Sequence, residues 1–237
     1  MARTAFTTRH DGDLRIGGDP AELEERRRAV ADAPWTWLRQ VHGARVVTVT
    51  RPGEHAGTEA DAAVTTVPGA VLAVHTADCV PVLLEAEGAV GAAHAGWRGL
   101  VGGVLEGTVD ALRSLGAGAV TAHVGPHIRA RCYEFGAAEL DQVAARYGDA
   151  VRVETAWGTP ALDLAAGVRA ALEPLDVAVV DHGGCTACEP DRCFSHRARA
   201  DQGRHAAAIW LDHHGSEGAD RPDPVDPHRK KRAGGGR

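Results

Sequence analysis

Three short apolar runs in the middle of the chain constrain its fold more than any other feature of the sequence. They lie at 69–74, 80–86 and 89–94 and consist largely of valine, leucine and alanine. Apolar runs of this length between turn residues are typical of buried strands. Glu87 and Gly88 separate the second run from the third, and this dipeptide predicts a tight hairpin turn. We therefore expect consecutive strands at the centre of the protein.

Helical patterns alternate with strand patterns along the rest of the chain. Residues 20–31 predict an early helix with Pro20 in its first turn, and residues 98–113 predict a second helix with one apolar face. The apolar residues of that face are Leu100, Val101, Val104, Leu105, Val109 and Leu112. Further patterns predict a strand region at 37–49 interrupted at His42 and Gly43, strands at 119–124, 177–180 and 205–211, and helices near 137–146 and 161–172. Because there is no internal repeat or linker, the alternation predicts a single α/β domain of mixed β-sheets flanked by helices.

The C-terminal segment at 215–237 has a different composition. Its only apolar residue larger than alanine or proline is Val225, which is too little apolar surface to offset the entropy of ordering the segment. We expect a disordered tail at 215–237 after a catalytic domain at 1–214. The basic cluster at 229–232 could contact RNA or an acidic surface, although a solvated tail is the simpler interpretation.

Composition excludes several classes of function. The formal net charge of −6 over 237 residues gives no overall basic field that would bind nucleic acid. The only lysines are Lys230 and Lys231, so residues 1–229 hold no lysine for a Schiff base or for a phosphate-binding loop of the G-x-x-x-x-G-K type.

The sequence also predicts a location. It contains no signal-like apolar segment near Met1 and no run of about 18 apolar residues that would span a bilayer. Five cysteines, an odd number, suit a reducing compartment better than a disulfide framework. We expect a cytoplasmic protein without a membrane partner.

Three residues with metal affinity lie where strand-like segments end. They are His42, Cys79 and His94. Two imidazoles and one thiolate suit zinc, and three protein ligands leave a fourth position for water or substrate, as in catalytic zinc sites. Such a metal acidifies water or polarises a substrate group. Taken singly, each residue could equally be a buried neutral histidine or an inert core cysteine.

Four further polar residues are candidates for supporting roles. Arg98, near the start of a predicted helix, could bind an anion together with backbone N–H groups, or could simply be a surface residue. Asp78 could orient a ligating histidine or accept a proton, or could be a turn residue. Gln40 and Asp61 could orient a substrate or a ligand.

A second cluster of metal-binding residue types lies near the C-terminal end of the domain. Its members are His182, Cys185, Cys188, Cys193 and His196. The C-x-x-C spacing could bind a structural zinc, and the alternative is a loop of reduced cysteines without a metal.

Several motifs occur in one order over about residues 35–211. They are Arg39-Gln-Val-His-Gly with Val46-Val47, Ala60-Asp-Ala-Ala-Val-Thr, Thr76-Ala-Asp-Cys-Val-Pro-Val-Leu-Leu, His94-Ala-Gly-Trp-Arg-Gly-Leu, Val124-Gly-Pro-His-Ile with Cys132-Tyr-Glu-Phe-Gly, and Phe194-Ser-His-Arg with Gly203-Arg204. Through these motifs the chain resembles the laccase-domain family, also called polyphenol-oxidase-like and described as purine nucleoside phosphorylases with a bound zinc.

The resemblance implies a layered α/β fold and a zinc ion on His42, Cys79 and His94, with Cu²⁺ as a substitute metal. It further implies cytosolic phosphorolysis of adenosine, inosine and methylthioadenosine to a free base and ribose 1-phosphate, with an adenosine deaminase activity. The expected partners are therefore purine nucleosides and phosphate. In this reaction we assign Arg98 to phosphate, Asp78 to proton transfer or ligand orientation, and Gln40 and Asp61 to the substrate.

The chain departs from the family pattern at two motif positions. His127 stands where the family often has a small residue or cysteine, and His196 stands where tyrosine is common. Both departures concern the range of substrates rather than the metal ligands.

Three other functions remain as alternatives. A copper-dependent polyphenol oxidase would use a two-His, one-Cys set, but such a site often has an axial methionine and the only methionine is Met1. An editing hydrolase acting on peptidoglycan precursors would turn over nucleotide-linked precursors and not nucleosides. A pure binding module would have little use for an open metal position beside Arg98.

Overall fold

Strands and helices alternate throughout the computed structural model, which describes residues 1–212. The strands are β1 (Ala2–Phe6), β2 (Trp35–Trp37), β3 (Val46–Val49), β4 (Ala62–Thr65), β5 (Val71–Thr76), β6 (Val80–Ala86), β7 (Ala89–Ala95), β8 (Val120–Val124), β9 (Arg152–Glu154), β10 (Pro160–Leu162), β11 (Ala178–Asp181) and β12 (His205–Leu211). The α-helices are α1 (Pro20–Val30), α2 (Trp97–Val101), α3 (Val104–Ser114), α4 (Ala137–Tyr147), α5 (Leu164–Leu172) and α6 (His196–Arg199). The expected tail at 215–237 lies outside the described residues.

The expected hairpin of β6 and β7 forms the centre of a six-stranded mixed sheet. Its strand order is β11-β8-β6-β7-β4-β3, and β6 pairs antiparallel with both β7 and β8. Gly88 turns the chain between β6 and β7 with a φ of 72°, a left-handed conformation that glycine adopts without a steric cost. The hairpin turn predicted from Glu87 and Gly88 is thus confirmed.

The first of the three apolar runs belongs to a different sheet. β5 pairs with β12 and β2 in a four-stranded sheet of order β1-β12-β5-β2. The chain therefore crosses from one sheet to the other between Thr76 and Val80. This crossing places Cys79 where the two sheets meet.

The two sheets pack face to face because their strands are apolar on both sides. Leu72 and Val74 of β5 lie in one core cluster with Leu83 and Val90 of the larger sheet. The alternate residues of β5 point the other way, where they pack with Leu23 of α1. On the outer face of the larger sheet, α2 to α5 bury a third cluster. The result is a layered α/β domain, as the sequence predicts.

Two helices are shorter than their patterns predict. The pattern at 98–113 is divided into α2 and α3, because Gly103 takes a left-handed φ of 86° that ends the first helix. The pattern at 161–172 begins as a helix only at Leu164, because residues 160–162 pair with β9 as β10. None of the helices within residues 1–212 is both long and apolar enough to cross a membrane.

Candidate metal centre

The three expected metal ligands lie together although they come from three separate segments. His42 lies in the loop between β2 and β3, Cys79 in the crossing between the sheets, and His94 near the end of β7. Their ligand atoms all lie within 4.8 Å of one another. Cys79 Sγ is 3.8 Å from His42 Nε2, and the two imidazole rings meet edge to face. The three ligands differ in solvent exposure. His94 is buried, Cys79 is partly buried and His42 is exposed.

Asp61 holds both histidines from behind. It is fully buried, and Oδ1 lies 2.8 Å from His94 Nδ1. The same carboxylate accepts hydrogen bonds from the backbone N–H groups of Val41, His42 and Gly43. An ionised Asp61 favours the proton on Nδ1 of His94, so a metal would bind at Nε2 in place of a proton.

Backbone geometry around the ligands is tight and unusual. His42 has a φ of 58°, a left-handed conformation that costs a non-glycine residue about 1–3 kcal/mol. Gly96 faces the ligands closely, because a Cβ at this position would lie 2.7 Å from His42 Cδ2 and 3.2 Å from Cys79 Sγ. A Cβ on Gly99 would lie 2.7 Å from the carbonyl oxygen of Gly43. The ligand positions therefore depend on glycine at 96 and 99.

The electrostatics of the group favour a thiolate. Burial opposes ionisation of Cys79, but His94 and His42 outweigh it and lower the pKa of the thiol to about 6. Burial likewise opposes a charge on His94, but the Cys79 thiolate and Asp61 raise the pKa of the imidazole to about 9. The pKa of Asp61 is lowered despite its burial, chiefly by the hydrogen bond with His94.

These side chains fit a metal ion by their chemistry. A thiolate and two imidazoles are common ligands of zinc, and a carboxylate behind a ligating histidine is a frequent supporting contact. A site with three protein ligands keeps one coordination position open toward the adjoining space. The group can therefore hold a metal that takes substrate or water.

The open side of the group faces a cavity of about 700 Å³. Five arginines line it, namely Arg15, Arg39, Arg98, Arg197 and Arg204. Arg39 pairs with Glu59 and Arg15 with Asp13, whereas within residues 1–212 the other three arginines form no ion pair. The cavity is therefore suited to an anionic ligand.

Arg98 lies in this cavity, with its guanidinium 4.5 Å from the centre of the Trp97 ring. It lies near the start of a helix, as expected, and that helix, α2, has five residues. The Arg98 guanidinium is one of the three in the cavity without an ion pair within residues 1–212.

Gln40 and Asp61, which we expected to orient a substrate or a ligand, differ in position, because Gln40 lines the cavity and Asp61 does not. The amide of Gln40 is paired with the backbone of His75, at 2.8 Å from the carbonyl oxygen and 2.7 Å from the N–H, so it positions His75. Asp61 is buried behind the ligands and outside the cavity lining, so it orients His42 and His94 and not the substrate.

Asp78 lines the cavity, and the segment that follows β11 engages its carboxylate. Its carboxylate accepts hydrogen bonds from Thr186 Oγ1 at 2.7 Å, Ser195 Oγ at 2.6 Å and the backbone N–H of Arg197 at 2.6 Å. It forms no hydrogen bond with the ligating histidines, because its left-handed backbone, with a φ of 109°, turns it toward residues 186–197. Asp78 is therefore an anchor for that segment and not an orienting group for His42 or His94.

The cavity contains residues to which the sequence analysis assigned no role. Tyr133, Arg197 and Arg204 line it, and all three belong to recognised motifs, so the motifs carried the signal. His75 also lines it, with 7% exposure and no hydrogen-bond partner on either ring nitrogen within the described residues. Burial, assisted by the charge of Arg27, lowers the pKa of His75 to about 3, so the ring is neutral. No sequence pattern distinguishes His75 from a core residue of β5.

A second group of metal-binding side chains differs from the expected cluster. Cys185 and Cys188 converge with Cys132, their ligand atoms lying within 4.8 Å of one another. The other expected members are elsewhere: His182 lies beside His123, His196 lines the cavity of the metal centre, and Cys193 is buried outside the group.

Comparison with known proteins shows the family of this chain. Residues 4–212 match the family described as multi-copper polyphenol oxidoreductase laccase. A Streptomyces coelicolor protein named purine nucleoside phosphorylase is 42% identical over 210 residues, covering 83% of this chain and 86% of the relative. A Mycobacterium tuberculosis protein of the same name is 39% identical over 218 residues, covering 87% and 86%.

Solved structures show the same fold. A Neisseria meningitidis protein of the family DUF152 superposes with a TM-score of 0.80 at 32% identity, covering 90% of this chain and 95% of the other. YlmD from Geobacillus stearothermophilus superposes with a TM-score of 0.76 at 29% identity, covering 90% and 92%.

Proposed function

This chain belongs to the multi-copper polyphenol oxidoreductase laccase family, and from that membership we propose that it is a zinc-dependent purine nucleoside phosphorylase. The observation that carries the proposal is the His42, Cys79 and His94 group, which opens into a cavity with three arginines free of ion pairs within residues 1–212. The names of the Streptomyces and Mycobacterium relatives support the same reaction. The substrates we propose are adenosine, inosine and methylthioadenosine, and we include an accompanying adenosine deaminase activity.

Arg98 is the group that binds phosphate. In phosphorolysis a phosphate oxygen attacks C1′ of the ribose, the C1′–N9 bond breaks, and the purine leaves with the bonding electrons and takes up a proton. The attacking phosphate must be held beside the ribose by contacts that replace its hydrogen bonds to water. Guanidinium groups do this by paired, charge-assisted hydrogen bonds. Arg197 and Arg204 add positive charge to the same cavity.

His75 and Tyr133 are the groups that recognise the purine. A neutral imidazole offers one donor and one acceptor, and a purine edge presents both kinds of partner. Tyr133 is buried with its ring near the Arg197 guanidinium, so its remaining surface offers a flat apolar contact for a base. Gln40 holds the backbone of His75 and so maintains this arrangement.

The metal would be held by His42, Cys79 and His94, with Asp61 orienting the two histidines. When bound, zinc supplies Lewis acidity that polarises a substrate group or acidifies water. A multi-copper oxidase also needs a histidine-rich oxygen-reducing cluster. Over residues 1–212 the converging groups of three or more metal-binding side chains number two, and together they contain only two histidines. The ligands of this chain therefore favour zinc, although Cu²⁺ can substitute at the same atoms.

The reaction is tested by product analysis. Purified protein is incubated with adenosine, with and without phosphate, and adenine, inosine, hypoxanthine and ribose 1-phosphate are separated by chromatography. We expect ribose 1-phosphate only with phosphate, and its loss in Cys79→Ala. Inosine formed without ribose 1-phosphate would replace the phosphorylase with a deaminase. Turnover of a nucleotide-linked cell-wall precursor, with no turnover of nucleosides, would replace both with the editing hydrolase.

The phosphate site is tested by Arg98→Ala. We expect the KM for phosphate to rise about tenfold to a hundredfold, as for the loss of one charge-assisted contact. Arg45→Ala is the control, because Arg45 is exposed and lies outside the cavity lining. An unchanged KM for phosphate in Arg98→Ala would remove this residue from the site.

A further inference from the structure

A second metal-binding group lies apart from the His42, Cys79 and His94 centre. Cys132 closes a 3-10 turn at Ala130–Cys132, and Cys185 and Cys188 lie in the segment between β11 and α6. The three sulfur atoms lie within 4.8 Å of one another, and Cys132 Sγ is 3.2 Å from Cys188 Sγ. Residues that are distant in sequence are thus brought together, and three thiols converge at one point.

The chemistry of the group points to a soft metal. Three thiolates on one zinc lie about 3.8 Å apart, from a Zn–S bond of about 2.3 Å and tetrahedral angles. The separation of 3.2 Å between Cys132 Sγ and Cys188 Sγ is shorter than that value by about 0.6 Å, and the other two separations are at most 4.8 Å. Thiolate ligands select Zn²⁺ and Cu⁺ over hard cations such as Mg²⁺ and Ca²⁺.

The backbone around the C-x-x-C turn is already fixed. The N–H groups of Cys188 and Glu189 donate to the carbonyl oxygen of Cys185, at 3.0 and 3.1 Å. The N–H of Arg129 points at Cys185 Sγ from 3.5 Å, a contact that a thiolate accepts. Metal binding would therefore need little reorganisation of this turn.

Arg199 holds the same turn from the other side. Its guanidinium donates to the carbonyl oxygens of Thr186 at 3.0 Å, Ala187 at 3.1 Å and Cys193 at 2.7 Å. Cys188 is exposed, and Cys132 lines a separate cavity of about 640 Å³. A fourth ligand can therefore come from solvent.

We propose that Cys132, Cys185 and Cys188 bind one Zn²⁺ ion, with a solvent molecule as the fourth ligand. The ion joins the 3-10 turn at 130–132 to the segment at 185–188, and so fastens one wall of the catalytic cavity. The connection is direct, because Thr186 lies between the two cysteines of the turn and donates to Asp78. Asp78 in turn binds Ser195 and the backbone of Arg197, which lines the cavity.

The test is the metal content of the full chain, purified with reductant and washed with a weak chelator. We expect two equivalents of zinc in the unaltered protein and one in Cys79→Ala, which leaves the three-cysteine group intact. Cys188→Ser should also hold one equivalent, and the double variant should hold none. Cys193→Ser is the matched control, since Cys193 lies in the same segment outside the group, and it should hold two equivalents.

Cobalt substitution identifies the ligands independently of activity. In Cys79→Ala, the remaining Co²⁺ should show thiolate charge-transfer absorption, and Cys188→Ser in that background should abolish it. Cys79→Ala protein without metal, or metal in that protein that Cys188→Ser does not remove, would overturn the proposal. A Cys132 to Cys188 disulfide in the reduced and washed protein, detected by mass spectrometry, would overturn it as well.

Discussion

Asp61 shows how one buried residue can organise a site without lying in its cavity. Its carboxylate contacts His94 Nδ1 and the backbone N–H groups of residues 41–43, including that of His42. In each of these contacts an N–H group donates a hydrogen bond to a carboxylate oxygen of Asp61. Because an isolated buried carboxylate is costly, these donors also stabilise the charge that the histidines need.

At this scale we predict that Asp61→Asn weakens metal binding by about tenfold to a hundredfold. Asparagine replaces one oxygen by an N–H₂ group, so a donor must face either His94 Nδ1 or the N–H groups of the loop. Either outcome displaces a ligating histidine or shifts its proton to Nε2. Competition with a chromophoric chelator measures the affinity. Asp110→Asn, an exposed charge-matched control on α3, should bind as the unaltered protein does. Equal affinities of the two variants would contradict the role of Asp61.

The turn from β7 into α2 is the element that leaves room for the metal ligands. Gly96 has a φ of −73° and a ψ of 159°, an extended conformation open to any residue. Glycine is therefore needed at position 96 because a Cβ would crowd the metal ligands, and not because of the backbone conformation. His42 and Cys79 approach this residue from two other segments of the chain.

We predict that Gly96→Ala lowers metal affinity by about one to two orders of magnitude while the protein still folds. The added methyl group would lie 2.7 Å from His42 Cδ2, so the ring must move from its position. Zinc titration followed by circular dichroism measures both effects. Gly118→Ala is the control, because a Cβ there meets no atom within 4 Å. A Gly96→Ala protein with unaltered affinity would show that His42 can shift without loss of the site.

At the scale of the whole molecule, three histidines within residues 1–212 are buried in their neutral form. Burial lowers the pKa of His75 to about 3 and of His127 and His205 to about 4. In the unfolded chain a histidine has a pKa of about 6.5. Between about pH 6.5 and 4 the unfolded state therefore binds more protons than the folded state.

We predict that stability is highest above pH 6.5 and falls as the pH drops toward 4, by up to about 1.4 kcal/mol per pH unit for each histidine. Urea unfolding of chelator-treated protein at several pH values measures the slope without metal release. His205→Gln should flatten it, since glutamine can still accept the hydrogen bond from the backbone N–H of Phe194. His10→Gln, at an exposed residue, should leave it unchanged. If the free energy of unfolding depended equally on pH in His205→Gln and His10→Gln, protonation of buried His205 would not be a cause of the loss of stability.

The amino-acid sequence by itself determined the local elements and the identity of the ligands. The hairpin around Gly88 and the helix beginning at Pro20 follow from residues that are neighbours in the chain. Apolar periodicity and turn chemistry depend only on such neighbours. His42, Cys79 and His94 were likewise chosen by ligand type and motif, and the structure brings them together.

Only the tertiary structure decided how the polar residues are used. Asp61 and His94 meet across 33 positions, and Cys132 and Cys188 across 56. An apolar run such as that of β5 has the same residue pattern whichever sheet it joins. The sequence therefore did not predict that the chain crosses between the sheets at Cys79. The hydrogen bonds that engage Gln40, Asp61 and Asp78 form only once those sheets are packed. Their roles therefore depend on distances in space, which no local pattern of residues records.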